Sequence, residues 1–188
     1  GWIAEGYCVL AMDTRGQGGT SCDSGIYGGN TQSGHIIRGV EGNSPDELFY
    51  RNVYLDTAQC VEILASMDFI DEDNIFATGA SQGGALTIAC AALSEKLKGA
   101  AAVYPYLCDF RGVYLNSFTG GTYEELVWWF RQRDPMHKNE EFLFERLGYI
   151  DLKNITKYIT CKVLWFTGLS DNVCPPFAQF AAYNGIAS

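Results

Sequence analysis

Nowhere in these 188 residues do apolar side chains run unbroken for the roughly 18 to 20 positions that a spanning helix needs. The N-terminus also has no basic segment leading into an apolar one, so no membrane partner is expected. Positive charge is scarce: 13 Lys and Arg face 22 Asp and Glu, for a net charge of -9, and no stretch concentrates the basic residues. Such a chain repels phosphate backbones, which excludes nucleic acid as a partner. The only histidines are His35 and His137, without paired spacing, so neither a metal site nor a cofactor is expected. No C-x-x-C occurs among the seven cysteines, which are odd in number and scattered. Cys60, Cys90 and Cys161 sit inside apolar runs, the pattern of buried free thiols in a reducing, cytoplasmic setting rather than of a disulfide framework. An initiator Met is also lacking. The chain opens at Gly1-Trp2 in what reads as the end of a helix and closes at Ser188, so it is expected to be a fragment of a longer domain.

What is present fits one α/β domain. Tyr7-Cys8-Val9-Leu10-Ala11-Met12 reads as a strand buried on both faces, ending in the glycine loop from Asp13 to Gly19. The composition from Ser24 to Asp46 predicts a long surface excursion. Apolar positions Val53, Thr57, Val61 and Leu64 predict an amphipathic helix from about Leu48 to Met67. Ile75 to Gly79 reads as a strand, Gln82 to Leu93 as an Ala-rich helix, and Ala100 to Tyr104 as a further strand closed by Pro105. Strands alternating with helices imply a mainly parallel sheet. Residues 109–160 form a helical insertion. In it, Thr122 and Glu125 are expected to make a capping box for a helix from Tyr123 to Arg133 that Pro135 stops, and a second helix runs from Asn139 to Leu147. A strand returns at Cys161 to Thr167, and a helix begins near Pro176.

The chemistry concentrates at Gly79-Ala80-Ser81-Gln82-Gly83, where the strand meets the helix. A serine hydroxyl needs an adjacent base and an oxyanion site before it can act as a nucleophile. G-x-S-x-G supplies a tight turn: Gly79 and Gly83 relieve crowding, and the helix that follows aims its first amides at the developing oxyanion. Ser81 is the candidate nucleophile of an α/β-hydrolase fold, and the Gln82 amide is the candidate oxyanion donor. The triad order in this fold is Ser, then Asp or Glu, then His, and Asp171 follows the next strand as the candidate acid. Its plainer reading is an Asx turn or a helix cap. No histidine follows Asp171; His35 and His137 are out of order and read as structural. Arg15 and Gln17, at the end of the first strand, reach the same edge of the sheet and are read as supporting the site. A bland role for Arg15 is to bond loop carbonyls. Trp128, Trp129 and Phe130 read as packing rather than as a substrate wall.

Asp13-Thr14-Arg15-Gly16-Gln17-Gly18, Gly79-Ala80-Ser81-Gln82-Gly83-Gly84 and the segment from Gly168 to Pro176 resemble the cephalosporin C deacetylase and acetyl xylan esterase family of carbohydrate esterases. Tyr50 to Asp56 and Ala181 to Asn184 do the same. The resemblance implies hydrolysis of acetyl esters on xylo-oligosaccharides and cephalosporin C, without metal, by an intracellular hexamer whose sites face an inner cavity. It implies Ser81 as nucleophile, Asp171 as triad acid and Gln82 as one oxyanion donor. The family's triad His and its second oxyanion contributor, a tyrosine, have no counterpart in this sequence. A peptidase or dienelactone-type hydrolase on the same fold, and a catalytically silent binding module, remain as alternatives.

Overall fold

A computed structural model describes residues 1–23, 35–118 and 120–186. Its chain begins with a single 3-10 turn, Trp2–Glu5, ended by Gly6 at φ 89°. Residues 7–12 form no regular element and pair with no described strand, and Tyr7, Val9 and Leu10 are exposed. This corrects the expected doubly buried strand: an apolar run signals a need for burial, but the neighbours that would cover it are not among the described residues. Residues 24–34 of the expected surface excursion lie outside the described part. Its described remainder is not wholly superficial, since Ile36 and Val40 are buried in the core.

Helix α1 (Phe49–Ala65) buries Phe49, Tyr50, Val53, Tyr54, Thr57 and Val61 along one stripe, as their spacing requires. Strand β1 (Ile75–Ala80) leads through Ser81 into α2 (Gln82–Leu93), whose eight residues from Gly84 to Ala91 are all buried. Strand β2 (Leu97–Val103) follows. The insertion comprises α3 (Phe110–Leu115), α4 (Glu124–Gln132), α5 (Glu140–Leu147) and α6 (Leu152–Ile155). Strand β3 (Lys162–Phe166) and α7 (Pro176–Tyr183), with Pro in its first turn, complete the order.

The three strands are parallel in the order β1-β2-β3. Their register aligns Ala77 with Ala100 and Val163, and Gly79 with Ala102 and Trp165. This face packs into the core beneath α2 and α7: Ala100 and Ala102 are buried, while Trp165 meets Tyr183 edge to face at 5.7 Å. The opposite face carries Phe76, Leu164 and Phe166, which are exposed among the described residues.

The capping box does not form. Thr122 donates to the carbonyl of Val173 at 3.4 Å, and α4 has no side-chain cap. Glu125 is fully buried and its carboxylate accepts from the amides of Ile36 and, at 3.3 Å, Ile37. A long-range pair of backbone donors therefore outcompetes the local one, because a buried carboxylate requires partners wherever the fold provides them. Cys90, Cys108 and Cys174 are buried free thiols, Cys60 and Cys161 are half-buried, and Cys8 and Cys22 are exposed.

Candidate active site

Ser81 is the single residue between β1 and α2, with φ 53° and ψ -115°. A non-glycine residue in such a conformation costs about 1 to 3 kcal/mol, so the surroundings must impose it. They do so through backbone bonds. Ser81 N–H donates to Val103 O at 2.9 Å, and its carbonyl accepts from Ala85 N–H at 3.0 Å and Tyr106 N–H at 3.1 Å. The two glycines of the motif are not equivalent. A Cβ on Gly79 would lie 2.5 Å from the Gly83 carbonyl carbon and oxygen, whereas one on Gly83 would meet open space. Gly84 carries the second constraint: its Cβ would lie 2.7 Å from Val103 O and 3.1 Å from Pro105 Cα. The elbow therefore rests on Gly79 and Gly84, not on Gly79 and Gly83 as the motif alone suggests.

The N–H of Gln82 opens α2, where no intrahelical acceptor exists, and no backbone carbonyl of the described residues takes it. Its side chain bonds two partners. Gln82 Nε2 donates to Gln17 Oε1 at 2.6 Å, while Gln82 Oε1 accepts from Gln17 Nε2 and from the Tyr50 hydroxyl, both at 3.2 Å. Arg15 pairs with α1. Its Nε and Nη2 grip both oxygens of Asp56 on α1 at 2.6 and 2.5 Å, a bidentate pair that fixes the glycine loop to that helix.

Asp171 stands in the loop after β3. Its Oδ1 accepts from the amides of Val173 and Cys174, both at 2.9 Å, so the Asx-type turn is real. Its Oδ2 accepts no hydrogen bond from the described residues, so one carboxylate oxygen shapes the loop and the other is available to an imidazole. Cys174 links the two halves of the site: its amide is the one held by Asp171, and its Sγ lies 4.0 Å from Ser81 Oγ. Burial, with the Asp171 charge adding to it, pushes the Cys174 thiol up to about 11. It is neutral at pH 7, and a neutral thiol is a weak nucleophile.

Gln179 on α7 fixes the same loop from below. It is buried, donates to Cys174 O at 2.5 Å, and accepts from Thr167 Oγ1 at 2.7 Å and Trp165 Nε1 at 3.3 Å. The insertion is hitched to the loop as well, through Thr122 to Val173 and through the rings of Phe118 and Phe177, 5.3 Å apart. Trp129 and Phe130 are buried in the insertion and Trp128 is half-buried. His137 stacks on Phe130 at 4.3 Å and meets Glu140 at 3.0 Å, in the insertion and apart from the elbow. His35 lies against Phe49 at 5.0 Å, and burial pushes its pKa down, with Arg38 acting in the same direction. No contact joins either histidine to Ser81 or Asp171 among the described residues. No cluster of metal-binding side chains occurs among them, and no helix there is long and apolar enough to cross a membrane.

Sequence reasoning missed Tyr50, Gly84, Cys174 and Gln179 as parts of the site. Tyr50 lies inside the helix that the spacing predicts, but its hydroxyl has no signature. Cys174 carries one signal, its position three residues after Asp171.

A parallel sheet that delivers a serine through a strained turn onto a helix N-terminus, with a carboxylate after a later strand, is the architecture of the α/β-hydrolase fold. Within that class the chain belongs to the acetyl xylan esterase (AXE1) family, whose profile matches residues 1–188. It is similar to acetyl xylan esterase 1 from Thermoanaerobacterium sp. JW/SL YS485, with 45% identity and a TM-score of 0.96 over 100% of this chain and 59% of that one. The acetyl xylan esterase from Paenibacillus sp. R4 is 36% identical, with a TM-score of 0.87 over 94% of this chain and 55% of that one. Acetyl esterase Axe7A of Xylanibacter ruminicola is 31% identical over 157 residues, covering 84% of this chain and 34% of that protein. The chain thus spans about a third of the length of this curated relative and somewhat more than half of each solved structure.

Proposed function

We propose that these residues form the core of a serine acetyl esterase in which Ser81 is the nucleophile, Asp171 the triad acid and Gln82 N–H an oxyanion donor. The observation that carries this reading is the Ser81 turn: a strained serine whose neighbouring amide, at a helix N-terminus, has no acceptor among the described residues. Ser81 Oγ attacks the acetyl carbonyl carbon and its proton passes to an imidazole. The imidazolium then protonates the departing sugar oxygen as the acyl C–O bond breaks. Water, deprotonated by the same imidazole, attacks the acetyl carbonyl; the acyl–Oγ bond breaks, the imidazolium returns its proton to Ser81 Oγ, and acetate leaves. We assign the imidazole to a histidine outside these 188 residues, because His137 pairs with Glu140, His35 packs against Phe49 and no other histidine is present. Asp171 Oδ2 orients it.

The relatives named acetyl xylan esterases favour acetylated xylo-oligosaccharides as substrates, and the resemblance extends this to cephalosporin C-like acetyl esters. A cytoplasmic hexamer is proposed on the same resemblance and is tested by light scattering of the natural full-length protein. The functional test is that protein's turnover of p-nitrophenyl acetate and acetylated xylo-oligosaccharides beside Ser81→Ala. Turnover of both, lost by about a thousandfold or more in the variant, is expected. Inert esters with cleaved peptide amides would replace this reading with a peptidase.

A further inference from the structure

Three segments far apart in sequence converge on one side chain. Gln17 lies 65 residues before Gln82 and Tyr50 lies 32 before it, yet both bond its terminal amide. We infer that Gln17 and Tyr50 are positioning residues for the oxyanion site, holding the Gln82 side chain so that its backbone N–H keeps one direction. The inference rests on the proposed roles of Ser81 and Gln82.

The contacts form a closed circuit. Tyr50 and Asp56 both belong to α1; Asp56 holds Arg15, the Gly16 turn at φ 64° follows, and Gln17 meets Gln82, which Tyr50 holds in turn. The residue being held is the one after Ser81, at the start of a helix whose first amides have no backbone acceptor among the described residues. A long amide side chain at such a position ordinarily samples many rotamers. Here both of its polar atoms are used, Oε1 twice and Nε2 once.

Tyr50 is suited to the task. Its ring is fully buried between Phe49 and Tyr54, at 5.3 and 6.2 Å, and burial raises its pKa, so the hydroxyl remains a donor throughout the neutral range. Gln17 is exposed, so its side chain adds little to the core. An exposed pair of amides contributes little to stability, yet an oxyanion donor must point at where charge develops, and small errors there are expensive.

The test uses the natural full-length protein with Gln17→Met and Tyr50→Phe, the first at an exposed position where folding is not at risk. Steady-state kinetics on p-nitrophenyl acetate, the rate of Ser81 modification by a fluorophosphonate and the urea midpoint are measured together. In each variant kcat and the modification rate should fall about tenfold, less than loss of an oxyanion donor itself, with KM within about twofold and the Gln17→Met midpoint unchanged. If Ser81 is modified and Ser81→Ala is dead while both variants keep their kcat, the inference fails and the proposed function stands. If Ser81→Ala keeps full turnover, the proposed function fails and this inference falls with it.

Discussion

Exchanging each motif glycine for alanine separates a steric account of the elbow from a mere pattern match. At Gly79 the added methyl carbon would sit 2.5 Å from the Gly83 carbonyl carbon and oxygen and 2.9 Å from its Cα. Carbon atoms pack best at about 3.5 to 4.0 Å, so the helix start must retreat by about 1 Å. Backbone shifts of this kind in a packed site cost about 1 to 3 kcal/mol. Here the retreat also breaks the geometry that imposes φ 53° on Ser81, so the upper end of that range is expected. At Gly83 nothing lies within 4 Å of the new methyl, and α2 gains from the exchange, because Ala exceeds Gly in helix propensity by about 1 kcal/mol. Urea unfolding of Gly79→Ala and Gly83→Ala, compared with the parent at equal slope, checks this. Gly79→Ala should lose about 3 kcal/mol and Gly83→Ala should lose none or gain slightly. Equal destabilisation by the two exchanges would refute the argument, since the motif treats them alike and the structure does not.

Gly84→Ala should lose about 2 kcal/mol in the same assay, because its methyl would lie 2.7 Å from Val103 O, a backbone atom within β2. Gln179→Leu removes the partners of Trp165 Nε1, Thr167 Oγ1 and Cys174 O together, and about 2 to 3 kcal/mol of stability should go with them in thermal or urea melts. Burial pushes Asp151 up to about 6, against the amides of Asp109, Lys153 and Phe110, which favour its charged form. A carboxyl whose pKa is higher folded than unfolded binds more protons in the native state, so its contribution is present below about pH 4 and lost as pH rises to 6. The stability of the parent minus that of Asp151→Asn should accordingly fall by about 2 kcal/mol between pH 4 and 7. A difference that rises over this interval would show that the three amides outweigh burial.

The elements that read true in the sequence are those whose signal is local. The spacing of Val53, Thr57 and Val61 gives α1 to within two residues at each end, and Gln82 to Leu93 is the observed α2. Where the local signal and tertiary demand compete, the sequence misleads. Thr122 and Glu125 have the spacing of a capping box, yet Glu125 goes to the amides of Ile36 and Ile37, nearly 90 residues away, which no periodicity reveals. The run from Tyr7 to Met12 has strand composition, but strand pairing depends on neighbours, not on composition. At the site, Ser81 and Asp171 can be proposed from the sequence because each follows a strand in the right order. Tyr50 and Gln179 were not, because a buried hydroxyl or amide inside an apolar stripe looks like core until its partner is placed beside it. The partner of Arg15, Asp56, lies 41 residues on, a distance that motif reading does not span.

The central claim is that Ser81 takes the acyl group. Rapid acid quench of the natural full-length protein during turnover of p-nitrophenyl acetate, followed by peptide mass spectrometry, tests it most directly. An acetyl group on the Ser81 hydroxyl, absent when the protein is first modified with a fluorophosphonate, is the predicted result. Acetyl found only at another side chain, or full turnover by Ser81→Ala, would contradict it.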